Sequence, residues 1–193
     1  MLSVIIATHN SERALVHTLA MLVSASVAGV VRDVVVADAG SSDETGQIAD
    51  VAGCALLVSG APLATRLQEA AGAARSAWLL FLRPGAMLEA TWIEEAARFI
   101  TDAERRGGME IAAVFRPQPL LGRSVAAQAL TLLREAVRRV PDPEQGLIIS
   151  RTFYESLGRH RLQAGDPEAD LLRRIGRSRL ARLRSGITPF DSD

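Results

Sequence analysis

Lysine is absent from this chain of 193 residues: all 22 basic side chains are arginine. The bias reads first as compositional and second as a preference for the bidentate contacts a guanidinium makes with anions. Cysteine occurs once, at Cys54, which excludes an intrachain disulfide and a cysteine zinc cluster. Its run, Cys54–Val58, marks it as a small buried hydrophobe rather than a nucleophile. Net charge is zero, so no global field recruits nucleic acid. No apolar stretch approaches the roughly 20 residues of a membrane span. A first strand beginning at Ser3 leaves no room for a leader, and the expected compartment is the cytoplasm. Three histidines, His9, His17 and His160, are too scattered for a metal cluster; His17 and His160 are read as surface residues, and His9 as a residue of the first loop.

What is present is an ordinary globular composition, 48% hydrophobic and 23% charged, at a length that suits one domain, 1–193. Residues 1–100 carry 6 arginines against 10 acids, and residues 101–193 carry 16 against 12. Short apolar runs alternate with helical periodicity. Strands are predicted at Ser3–Ala7, Val34–Ala37, Cys54–Val58 and Ala77–Leu82. Between them lie a helix after Asn10 with Leu15, Leu19, Leu22 and Val23 on one face, a short helix at Asp43–Ala52, and one from Pro62 to about Arg75. This alternation implies βαβ units, a mostly parallel sheet and helices on both faces.

The second half is less regular. A capping box at Thr91 and Glu94 opens a helix to about Arg106, and strands are expected at Ile111–Phe115, Gly146–Ser150 and Leu180–Leu183. Leu121–Val140 has the pattern of a long amphipathic helix with an arginine-bearing outer face. A short helix is expected at Thr152–Leu157. Asp166-Pro167 is an N-cap and first-turn pair for a helix to about Ile175. Gly186–Asp193 reads as a frayed tail.

The stretch richest in chemistry is Asp38-Ala-Gly-Ser-Ser-Asp-Glu-Thr45, directly after the buried strand Val34–Ala37. A carboxylate at a strand's carboxyl end, followed by a turn into free backbone N–H groups, suits a nucleotide. Ser41 and Glu44 have capping-box spacing. The same residues also serve turns and caps, and Asn10 and Asp43 each fit a plain helix cap. No Gly-x-Gly-x-x-Gly follows the first strand, which argues against a dinucleotide-type or methyltransferase-type site.

In order and spacing these segments resemble family 2 glycosyltransferases of the GT-A fold, in the small bacterial family 2-like branch. Ser3–Asn10 resembles that family's opening strand and Pro-Thr-x-Asn-Glu loop, with Ala7 and Ser11 as departures. Val34–Thr45 resembles Val-Val-Asp-Gly-Gly-Ser-x-Asp-Gly-Thr. Arg66 and the alanine-rich run after it resemble Arg-x-x-Asn-x-Gly, with Glu69 for Asn. Glu144-Gln145-Gly146 resembles Asp-Gln-Gly, and Phe153–Gly158 and Pro167–Ile175 resemble the helices around a Glu-Asp base motif. The resemblance covers nearly the whole chain, with a nucleotide-binding half, 1–85, and an acceptor half, 86–193.

The resemblance implies inverting transfer of a sugar from a nucleoside-diphosphate sugar to an acceptor hydroxyl. Thr8, Asn10, Asp38, Gly40 and Asp43 then form the nucleotide side, with Arg66 and Arg83 toward the diphosphate. Glu168 is the proposed base, with Asp170 beside it. After Trp78–Leu82 the family places an Asp-x-Asp metal motif, where this chain reads Arg83-Pro84-Gly85. No divalent metal is therefore expected. Either Arg83 replaces the cation, or the site has decayed and Arg83 is a turn residue. The alternative to an enzyme is a non-catalytic relative kept for nucleotide binding or protein association. Arg173, Arg174, Arg177, Arg179, Arg182 and Arg184 read as a solvated face, with an anionic lipid-linked acceptor, and so peripheral membrane contact, as the alternative.

Overall fold

A computed structural model describes residues 1–107, 110–118 and 140–188. In chain order the elements are β1 (Leu2–Thr8), α1 (Glu12–Val27), β2 (Val31–Asp38), α2 (Thr45–Val51), β3 (Ala55–Val58) and α3 (Leu63–Ala73). They continue with β4 (Trp78–Leu82), β5 (Met87–Leu88), α4 (Trp92–Arg105) and β6 (Ala112–Pro117). A 3₁₀ turn at Pro143–Gln145 precedes β7 (Leu147–Ser150), α5 (Arg151–Ser156), α6 (Pro167–Ile175) and β8 (Leu180–Thr188). Of the expected helix at Leu121–Val140, all but Val140 lies outside the described residues.

Alternation along the strands sorts their side chains onto two faces. Val4, Ile6, Trp78, Leu80 and Leu82 point to one side, where Leu15, Leu19 and Leu22 of α1 and Trp92, Ala96 and Ile100 of α4 cover them. Ile5, Val35, Leu79 and Phe81 point to the other, under Leu67 and Ala70 of α3, Phe153 of α5 and Leu171 of α6. Both faces of the central strands are dry, which is why those strands read as unbroken apolar runs.

One eight-stranded sheet, ordered β3-β2-β1-β4-β7-β6-β8-β5, joins both halves of the chain. The β1–β2, β1–β4, β2–β3 and β6–β8 pairings are parallel; β4–β7, β6–β7 and β5–β8 are antiparallel. The expected mostly parallel sheet with helices on both faces is present, and its antiparallel pairings all involve strands of the second half.

Several local expectations change. β5 is an addition. β8 runs to Thr188, so Gly186 belongs to a strand rather than a frayed tail; its N–H donates to Glu89 Oε2 at 2.6 Å. Val23 faces solvent. Neither capping box forms. The Ser41 hydroxyl donates to Asp38 Oδ1 at 2.5 Å, and the Thr91 hydroxyl pairs with Ser185 Oγ at 3.0 Å.

Candidate functional site

Strand order reverses between β1 and β4, because β1 leads to β2 on one side while β4 returns on the other. Loops leaving the carboxyl ends of parallel strands on either side of such a reversal diverge, and the crevice between them is where open α/β sheets bind ligands. Thr8 ends β1, Asp38 ends β2 and Arg83 follows β4. A cavity of about 210 Å³ lies there, walled by Thr8, His9, Arg66, Phe81, Arg83 and Glu168.

Asp38 is only 2% exposed and is fully engaged. Oδ1 accepts from the Thr8 and Ser41 hydroxyls at 2.8 and 2.5 Å, and Oδ2 from the Gly40 and Ser41 N–H groups at 2.9 and 2.7 Å. Burial alone would raise this carboxyl, but the bonds from Ser41, Thr8 and Gly40 outweigh it and hold the group below the ordinary Asp value. Gly40 reaches its position with φ of 86°, a conformation open to glycine at little cost. A carboxylate with about four acceptor sites, all filled internally, organises the turn rather than offering an open acceptor.

The neighbours share this arrangement. Asn10 (φ 47°) caps no helix of its own; its Oδ1 accepts from Ser42 N at 2.9 Å and its N–H donates to Ser41 Oγ at 2.8 Å. Asp43 accepts from Glu12 N and Thr45 N, each at 3.1 Å, and so caps the starts of both α1 and α2. The Thr45 side chain and these N–H groups hold its carboxyl low against the effect of burial. Arg66 points inward: Nη1 donates to Ala37 O at 2.6 Å and Thr8 O at 3.3 Å, and Nε to Ala61 O at 3.2 Å. It ties the ends of β1 and β2 together rather than standing free toward a diphosphate.

Arg83 and Glu168, 85 positions apart, meet. Arg83 Nε and Nη2 donate to Glu168 Oε2 at 3.1 and 2.8 Å, while Glu144 Oε1 lies 3.8 Å from Nη1. The β4 turn that carries Arg83 is pinned to α1 by Gly85 N–H, which donates to Thr18 Oγ1 at 2.8 Å. Glu168 stands in the first turn of α6, whose N-cap Asp166 accepts from Glu168 N and Ala169 N at 3.1 and 3.0 Å. Burial raises the Glu168 carboxyl above the ordinary Glu value; Arg83 pulls it back in part, and Asp166 and Asp142 add to the rise. For Arg83, burial disfavours the charge, and Glu168, Glu144 and Asp166 more than restore it.

Asp170 does not join them. It pairs with Arg174 Nε at 2.8 Å, and Arg174 also donates to the carbonyls of Leu157 and Arg159. Within the arginine series, Arg179 stacks on Phe153, 5.0 Å from the ring centroid, and caps Ile175 O, so this series is partly structural rather than wholly solvated. His160, expected at the surface, is buried behind Glu168; Nδ1 lies 2.8 Å from the Tyr154 hydroxyl and the ring stands edge-on to Phe81. A lone loop histidine carries no local signal that would have placed it there. Glu144 is the other site neighbour missing from the sequence-based set, although it stood out as a departure from Asp-Gln-Gly.

Divalent cations bound beside a diphosphate need hard oxygen ligands. At the β4 tip the side chain is a guanidinium, a donor without acceptor sites, and the two nearest carboxylates already face it. These residues do not fit a divalent cation. Among the described residues no group of three or more His, Cys, Asp and Glu is arranged to hold one. No helix of the described residues is long and apolar enough to cross a membrane. A separate cavity of about 680 Å³ is walled by α1, α2 and the first half of β2. Its mainly aliphatic lining, Leu19, Leu22, Val23 and Val51 among others, includes none of the residues that wall the β1/β4 crevice.

This sheet order, with a crevice at the β1/β4 reversal, defines the GT-A fold. Solved structures agree. The S. aureus TarS fragment 1–349 aligns with a TM-score of 0.70 at 18% identity, over 98% of this chain and 60% of that one. The same fragment in complex with UDP gives 0.69 at 20% identity, over 97% and 60%. Glucosyl-3-phosphoglycerate synthase from Mycobacterium tuberculosis, in complex with Mn2+ and UDP-glucose, gives 0.67 at 19%, over 100% and 72%. The chain thus spans about 60% of the TarS fragment's length. No family model matches the chain. No curated protein matches its sequence.

Proposed function

We propose that this domain binds a nucleoside-diphosphate sugar in the β1/β4 crevice and transfers the sugar, with inversion, to an acceptor hydroxyl without a divalent cation. The observation that carries the reading is Arg83 at the tip of β4, facing Glu168 across the crevice at 2.8 Å. A guanidinium there supplies positive charge at the point where a leaving diphosphate develops its negative charge. Glu168, raised by burial, is the only acid of the predicted catalytic pair beside Arg83, and it takes the hydroxyl proton. The acceptor oxygen forms the new bond to the anomeric carbon as the bond to the diphosphate oxygen breaks, and Arg83 takes the charge released. Thr8, Asn10, Gly40 and Asp43 shape the nucleotide side by fixing the two loops, with Asp38 and Arg66 as their internal ties. UDP is the first nucleotide to test, because structures of similar fold hold UDP, UDP-GlcNAc and UDP-glucose.

The test is thermal stability against a panel of nucleoside diphosphates with and without Mn2+. A ligand at about 100 times its Kd adds roughly 2.7 kcal/mol. The expected result is a shift unaffected by Mn2+ and lost in Arg83→Met. No shift with any nucleotide, or one that requires Mn2+, would refute the reading. A second reading, a non-catalytic relative, is favoured by one observation: the base is already held by Arg83. Nucleotide binding without release of UDP from any UDP-sugar would select it.

A further inference from the structure

Arg83 is a shared wall of two cavities. The first, about 210 Å³, is bounded by Thr8, His9, Arg66 and Glu168. The second, about 400 Å³, is bounded by Asp142, Glu144, Asp166 and Arg173. Between them stands the pair in which two guanidinium N–H groups converge on one carboxylate oxygen. The same guanidinium edge can hold the oxygens of a phosphate. Glu168 is 16% exposed and Arg83 41%, so solvent and solutes reach the pair from the arginine side.

We infer that Glu168 is a built-in occupant of an anion site on Arg83, and that a diphosphate enters by displacing it, which joins the two cavities. The inference takes the ligand's identity from the nucleotide-sugar reading, but the anion site itself can be tested apart from it. A diphosphate beside Arg83 places more negative charge next to an already buried carboxylate. Glu168 must then swing away or take up a proton. The groups facing it are Arg83 from the β4 turn, Asp142 just before the 3₁₀ turn and Glu144 within it, Asp166 at the start of its own helix, His160 behind it, and His9 and Arg66 across the smaller cavity. Asp142 and Asp166 push its carboxyl up, and once the ligand engages Arg83 the one opposing charge is shared. His160, pushed down to about 3, stays neutral and adds no compensating charge. Anion binding therefore either moves the charged carboxylate away from Arg83, which leaves it able to take the acceptor's proton, or protonates it in place, which idles it as a base. On the nucleotide-sugar reading, Glu168 is released from Arg83 only after the donor has arrived.

The experiment is calorimetric titration of the full chain with inorganic pyrophosphate and, separately, with UDP, at about pH 7.5 and about pH 5.5. Wild type is compared with Glu168→Gln, Glu168→Ala, Arg83→Met and the Arg83→Met/Glu168→Gln pair, with melting temperatures as the check on folding. Near pH 7.5 the Glu168 variants should bind pyrophosphate up to about fivefold more tightly than wild type, the ceiling of a partly exposed ion pair. The advantage should be smaller at the lower pH, nearer the raised titration of Glu168, and vanish in the double variant. Equal affinity in wild type and both Glu168 variants, or an advantage that survives loss of Arg83, would overturn the inference. Tight pyrophosphate binding without UDP binding upholds the anion site and sinks the nucleotide reading. UDP bound equally by wild type and the Glu168 variants does the reverse.

Discussion

Mild acid should destabilise this protein through His160. The imidazole is 1% exposed, with Nδ1 2.8 Å from the Tyr154 hydroxyl and its centroid 4.9 Å from that of Phe81. Burial, reinforced by the Arg174 charge and opposed by Asp170 and Asp166, pushes its pKa down from 6.5 to about 3. Between those values the unfolded chain carries a proton that the native protein refuses, so stability falls as the pH falls. At about pH 4.5, two units below the unfolded value, the loss is about 2.7 kcal/mol. Against a total of about 5–15 kcal/mol for a typical domain, that is a large part. Glu168 acts in the opposite sense between the ordinary Glu value and its raised native one, because the native state protonates first. Asp38, Asp43 and Glu95, all held low, lose their contribution only as the pH falls below the ordinary carboxylate range. A His160→Gln variant keeps a hydrogen-bonding side chain and does not titrate, so subtracting its curve from wild type cancels these other groups. The assay is urea unfolding of both proteins from about pH 7.5 to about pH 4.5. Parallel pH dependences, within about 0.5 kcal/mol, would refute the reasoning.

Other expectations rest on the same structure. Asp38→Asn replaces one acceptor oxygen with a donor, stranding at least one of four buried bonds. It should cost about 1–3 kcal/mol and lower Tm by several degrees in a thermal melt. Gly146→Ala forces a side chain onto φ 65°, with its Cβ 2.9 Å from Leu82 Cδ2, so chemical denaturation should reveal a loss of more than about 1 kcal/mol. Arg66→Met leaves the carbonyls of Ala37, Thr8 and Ala61 without this donor. It should lower Tm even in the absence of nucleotide; an unchanged Tm would mean that the guanidinium is dispensable for holding β1 to β2.

Much of the fold was legible because its signals are local. Buried strands must be apolar, so β1, β4 and β7 stood out, and the Asp166-Pro167 start of α6 needed no distant partner. β5, two residues long, has no period to read. β8 was read short because Arg182 and Arg184 alternate with inward Leu183 and Ser185 beside an antiparallel edge and a parallel neighbour, a pattern that looks polar until its neighbours are known. Both capping boxes failed for one reason. The partners were taken elsewhere: Ser41 Oγ accepts from Asn10 N–H, Glu44 N–H donates to Glu12 Oε2, and the Thr91 hydroxyl pairs with Ser185 of β8.

By itself the chain determined the layered sheet, the crevice-forming loops and an arginine at the end of the fourth strand. These follow from residue type and periodicity over short spans. Only the tertiary structure decided that Asp38, Asn10, Asp43 and Arg66 are spent on loop hydroxyls and backbone groups, that Asp170 turns to Arg174, and that Glu168 closes on Arg83. A polar side chain takes whichever partner the fold brings within about 3 Å, and for Glu168 that partner comes from the β4 turn, 85 residues away.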